Sequence, residues 1–142
     1  MNRRQAARGT IVGMLAAITA AAGLLPACKA RSAYQGADRS IVAAYRVRKL
    51  RTELPPTVRV QAVILAADAA LRDRGYAVTS SRATEDAGHV EAEPRDAGSL
   101  DSVEVTARVI PAGTRIEIRV NPWGDEAKSR AILDGILARL GL

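Results

Sequence analysis

No phenylalanine occurs among the 142 residues, and the chain carries one cysteine, one histidine, one tryptophan and three tyrosines. Each scarcity closes a route. A single cysteine excludes a disulfide within the chain. One imidazole, His89, and one thiol, Cys28, are too few for the histidine and cysteine sets that hold zinc. No nucleophile stands beside a base, and there is neither a second histidine nor a glycine-rich phosphate loop. The sequence therefore predicts a protein that is not an enzyme, with no catalytic residues, no cofactor and no metal. The lack of an aromatic stacking signature also argues against nucleic acid as a partner. With no phenylalanine and many alanines, the core is expected to be tight and without a large cavity.

Long apolar runs are missing as well. Residues 9–25 are uncharged but rich in Ala, Gly and Thr. That is weak for a permanent span, which wants about 20 mostly apolar residues. What is present instead is the three-part layout of an export signal: a basic start (Arg3, Arg4, Arg8), an uncharged middle, and Leu25-Pro26-Ala27-Cys28. The formal charge of +6 is partly this leader. Setting its three arginines aside leaves 18 Lys/Arg against 15 Asp/Glu, a balance of +3. The excess gathers between Arg39 and Arg59, where six cations face only Glu53. Such a cluster suits a membrane surface or acidic neighbours on adjacent strands.

The junction resembles the lipobox of bacterial lipoproteins, with Leu25 three residues before the cysteine and Ala27 just before it. Pro26 stands where a small or hydroxyl residue is usual. The resemblance implies cleavage after Ala27 and a diacylglyceryl thioether with an acylated amino group on Cys28, so the membrane is the first expected partner. Lipidation would also remove the hazard of a lone thiol in an oxidising compartment. Lys29 is not the aspartate that commonly retains such proteins in an inner membrane, so a periplasm-facing outer-membrane address is expected where the host has one. The division is then 1–27 signal peptide, 28–40 lipidated cysteine and flexible tether, and 41–142 one folded domain.

In that domain, Ile41 to Leu54 alternates with an apolar phase that switches near Leu50, which predicts a bulge or two short strands. Pro55-Pro56 ends it, and Thr57 is placed to cap a helix from Val58 to Arg74, with Gly75 as its stop. Four strands follow, at Tyr76–Ser81, His89–Glu93, Val103–Val109 and Ile116–Val120, the last two joined by a Pro111-Ala112-Gly113 turn. Asp125 opens a final helix whose stripe is Ile132, Leu133, Ile136, Leu137 and Leu140. The prediction is an α+β two-layer sandwich: an antiparallel sheet of about five strands with two helices on one face, in the order β-α-β-β-β-β-α.

The segment from Ile118 to Ile136, I-R-V-x-x-W-G-D-E-x-x-S-x-x-I-L-x-x-I, resembles a family of small bacterial lipoproteins of undefined function. Weaker likeness runs through Arg74-Gly75-Tyr76 and the strand after Gly88. The resemblance implies this fold and a lipid anchor, and it implies no chemistry.

Sequence alone leaves one surface of interest. The charged sheet face, with Arg46, Arg48, His89, Glu91, Glu93, Glu104, Arg108, Arg115, Glu117 and Arg119, is either a solvated face of cross-strand ion pairs or a docking face for another envelope protein or a second copy. Trp123 is read first as a plug over the end of the core and second as an exposed anchor for a partner. His89 is read as an exposed strand histidine, and Asp125, Glu126 and Ser129 as a helix start. The expected role is a lipid-anchored cell-envelope lipoprotein with a non-catalytic periplasmic interaction or structural domain. The alternative is a carrier of small hydrophobic ligands between helices and sheet.

Overall fold

The structure is a computed structural model that describes residues 32–35, 40–96 and 98–142. The leader and Cys28 lie outside the described residues. Seven antiparallel strands form one open sheet: β1 (Ser32–Gln35), β2 (Ser40–Arg46), β3 (Lys49–Leu54), β4 (Tyr76–Ala83), β5 (Ala87–Pro94), β6 (Ser102–Ile110) and β7 (Gly113–Asn121). Their order across the sheet is β1-β2-β3-β7-β6-β5-β4. Helix α1 (Val60–Asp73) lies on β4, β5 and β6, helix α2 (Glu126–Leu140) lies on β3 and β7, and the helices pack on each other. The α+β arrangement with one covered face is the expected one.

The strand count exceeds the expected five for two physical reasons. First, the phase switch between Ile41 and Leu54 is a two-residue hairpin turn, and Arg46 pairs with Lys49 across it. Val47 and Arg48 take φ of 47° and 63°. This is the left-handed region that such a turn requires. Neither residue is the glycine or asparagine that usually announces it. Second, Ser32–Gln35, inside the segment expected to be a tether, pairs with β2. The element order is therefore β-β-β-α-β-β-β-β-α.

Alternation makes the core. Leu50, Val90, Val105 and Ile118 form one cross-strand row and Ala92, Val103 and Val120 another, all buried beneath the helices. Val63, Ala67, Ala70 and Leu71 of α1 and Ile132, Leu133, Ile136 and Leu137 of α2 close over them. Each fully buried Leu or Ile contributes roughly 1.5–3 kcal/mol relative to exposure. Small residues set the layer spacing. Gly88 lies so close under α1 that an added Cβ would sit 2.3 Å from Ile64 Cγ1.

The buried polar residues Thr52, Thr114 and Ser129 are satisfied. Thr52 Oγ1 donates to Val42 O at 3.1 Å, Thr114 Oγ1 to Val58 O at 2.6 Å, and Ser129 Oγ to Asp125 O at 2.6 Å. The last two anchor the helix entries. Asp125 is the N-cap of α2, accepting from the Lys128 amide at 2.9 Å. Such a cap satisfies an amide that the helix itself leaves without a partner. Thr57 is not a cap: α1 begins at Val60 behind Arg59, which makes no side-chain cap bond. The turn after Pro55, closed by Val58 N–H to Pro55 O, carries the chain two residues further before the helix starts. Gly75, at φ +85°, ends α1 as expected. Glycine adopts this conformation without a Cβ penalty. Arg74 donates to Ala131 O and Arg139 pairs with Asp73, tying the helices together.

Candidate functional site

Because both helices lie on one side, strand alternation sends the other set of side chains to a face that no described element covers. Its rows follow the register. Arg46, Lys49, Arg119, Glu104 and Glu91 stand opposite one another across β2, β3, β7, β6 and β5. Next come Arg51, Glu117, Thr106 and His89, and then Glu53, Arg115 and Arg108. Of the residues predicted for this surface, the fold brings together Arg46, His89, Glu91, Glu93, Glu104, Arg108, Arg115, Glu117 and Arg119. Arg48 is not among them. It sits in the β2–β3 turn, and its Nη1 donates to Pro122 O at 3.3 Å, because the hairpin changes the phase that a continuous strand would have kept.

The face is only partly neutralised. Glu117 lies 2.6 Å from Arg51 Nη2 and 3.5 Å from Lys49 Nζ, and Glu53 lies 2.9 Å from Arg115 Nη2. Like charges are also directly opposed: Lys49 with Arg119, Arg108 with Arg115, and Glu91 with Glu104. Such juxtapositions destabilise a sheet, so stability alone does not account for this arrangement. Arg108 and Arg119 make no ion pair among the described residues. Between them, over the short side chain of Thr106, lies a shallow cavity of about 340 Å³ that Lys49, Glu104, Arg115 and Glu117 also line. Four cations thus face two carboxylates there, and Glu117 is already engaged.

His89 extends the face toward β5. Its Nε2 lies 3.2 Å from Glu91 and its Nδ1 3.9 Å from Glu104, and its side chain is about one-third exposed. Among the described residues no group of three or more His, Cys, Asp or Glu side chains is placed to hold a metal ion. Nor is any described helix long and apolar enough to cross a membrane.

Trp123 does not plug the core. It is 78% exposed, because the chain turns outward after β7 and Gly124, at φ +80°, swings back to start α2. Gly124 packs so tightly against Arg48 and the Tyr45 hydroxyl that a Cβ would approach both to 2.6 Å. Burial, with Glu126 and Asp125 adding to it and Arg48 opposing, raises the Tyr45 phenol above its ordinary value.

Sequence reasoning missed Lys49, Arg51 and Thr106. The signal was available in the alternation of Leu50, Thr52 and Leu54, which puts Lys49, Arg51 and Glu53 on the opposite side once a turn is placed at Val47-Arg48.

Compared with known proteins, residues 11–139 match the model of a family described as "Protein of unknown function (DUF3568)". No curated protein matches the chain.

Proposed function

The chain belongs to this family of unknown function, and we propose that it is a lipid-anchored cell-envelope protein that works by docking, through the uncovered sheet face, to another envelope protein or a second copy. The observation that carries the docking is the opposition of like charges on that face. Lys49 stands against Arg119 and Arg108 against Arg115. Both oppositions cost stability in the free domain, and an acidic partner surface would compensate them. The anchor rests on Leu25, Ala27 and Cys28 following an export-type leader, with the periplasmic side of the outer membrane as the address. A diacylglyceride holds stably, since two chains succeed where one is marginal. The domain has no part in chemistry in this reading.

The carrier reading has less support. The helix–sheet interface it requires is closely packed where Gly88 meets Ile64.

Crosslinking in intact envelopes tests the proposal. The double variant Arg108→Gln/Arg119→Gln is expected to lose the crosslinked product while its unfolding midpoint stays equal or rises slightly. An unchanged product, with the cations gone, would make the face a solvated one. Comparison with Cys28→Ser separates the two parts of the proposal. Partners that persist without the lipid belong to the folded domain, and partners that vanish depend on the tether.

A further inference from the structure

Among the described residues, the three most exposed large apolar side chains lie on one rim of the sheet. Val47 is 89% exposed in the β2–β3 turn, Leu100 88% just before β6, and Trp123 78% just after β7. The register makes these segments neighbours: Lys49 is opposite Arg119, and Ser102 is opposite Asn121. The Arg48 bond to Pro122 O and the contact of Gly124 with Arg48 fix the first turn to the last. Single exposed apolar residues are ordinary. Three on one rim, including an indole that the fold turns outward, are a surface prepared for something less polar than water.

The direction of the chain says what lies beside it. β1 runs antiparallel to β2 with Ser32 opposite Ala43 and Gln35 opposite Ser40, so the chain enters β1 from the side of this rim. Cys28 precedes Ser32 by four residue steps. Even fully extended, that length of chain spans only about 14 Å. Val47 lies four strand steps beyond the level of Ala43. At the rise of a strand this distance is also roughly 14 Å. A lipid on Cys28 is thereby bound to within reach of the rim.

We infer that this rim seats in the headgroup layer of an anionic bilayer, with Trp123, Val47 and Leu100 entering the interface and Arg46 and Arg48 facing lipid phosphates. The chemistry suits that layer. Tryptophan favours the boundary where its ring is half apolar and half wet. A cation near an anionic leaflet contributes about 1 kcal/mol. Two carboxylates beside the rim are engaged: Asp101 is held by Lys128, and Asp125 caps α2. Strands that end on the bilayer stand roughly along its normal. The uncovered charged face is then presented sideways, toward neighbours on the same membrane. The presence of a membrane rests on the anchored reading, and the rim itself on the fold.

Trp123 is the only tryptophan in the chain, so its fluorescence reports this rim directly. The full chain is reconstituted into vesicles of phosphatidylglycerol and phosphatidylcholine, with and without bromine on the acyl chains. The expected result is emission at shorter wavelength, quenching by bromine and protection from aqueous iodide. Val47→Asp and Leu100→Asp are expected to lose the bromine quenching. Leu65→Asp, an exposed apolar position on α1 away from the rim, is expected to keep it. Iodide quenching that is the same with and without bilayer would overturn the inference. So would a shift that needs no bilayer and grows with protein concentration, which would place the rim against a second copy. The mass of Cys28 in the same sample separates the two ideas. A lipidated cysteine with a water-exposed indole sinks the rim and leaves the anchor, whereas a bare thiol with a bilayer-shielded indole does the reverse.

Discussion

Val47 is a β-branched residue in the left-handed region. That conformation costs an L-residue roughly 1–2 kcal/mol. Its side chain meets solvent, so nothing in the packing offsets that cost. Val47→Asn, which tolerates the left-handed region, is expected to raise stability by about 1 kcal/mol, read as a higher urea midpoint with an unchanged slope. A neutral or lower midpoint would mean that the turn relaxes out of this geometry. Two titrating groups make stability depend on pH. The fold raises Tyr45, mainly through burial, above its ordinary 10.0, and raises Lys128, mainly through its bond to Asp101, above 10.5. Both hold their protons more tightly folded than unfolded. Their contribution is therefore complete below the unfolded values and fades as pH rises through the folded ones. Urea midpoints are expected to fall above about pH 10, and Tyr45→Phe and Lys128→Met are each expected to flatten part of that fall. A fall equally steep in both variants would assign it to other groups.

At the scale of elements, the helix–sheet contact is where volume is least negotiable. Gly88 has an ordinary backbone, so its role is to admit Ile64. Gly88→Ala is expected to cost about 1–3 kcal/mol by overpacking. Adding Ile64→Val is expected to recover part of the loss, so that the double-variant cycle shows coupling. Additive losses would move the strain elsewhere. The elements that can be read directly are those whose residues obey one period. Val103, Val105 and Ala107 alternate with Glu104, Thr106 and Arg108, and Ile116, Ile118 and Val120 with Glu117 and Arg119, so both strands and their charged face follow from sequence. Asp125 and Gly75 mark helix ends by local chemistry. The hairpin at Val47-Arg48 is hidden because its two residues favour other conformations, and that concealment misplaces Arg48 and leaves out Lys49 and Arg51. β1 has too few residues to show a period. Apolar character alone points Trp123 inward, whereas the turn between β7 and α2, visible only in three dimensions, leaves it exposed.

The whole molecule is a sheet with one face spent on its core and one left to meet something else. Helices α1 and α2 cover the first face, and the second carries Arg108 and Arg119, which make no ion pair among the described residues. The rim of Val47, Leu100 and Trp123 lies at the end from which the chain enters β1, so rim and charged face have a fixed geometric relation. That relation gives the proposed role its form: a small domain held at a bilayer, presenting charge along it. The membrane part of this proposed role depends on attachment through Cys28. The most direct measurement is the intact mass of the native chain purified from membranes. A chain that begins at Cys28 and carries a diacylglyceryl thioether with an acylated amino group is the predicted result. An unmodified thiol with the leader still attached would contradict it.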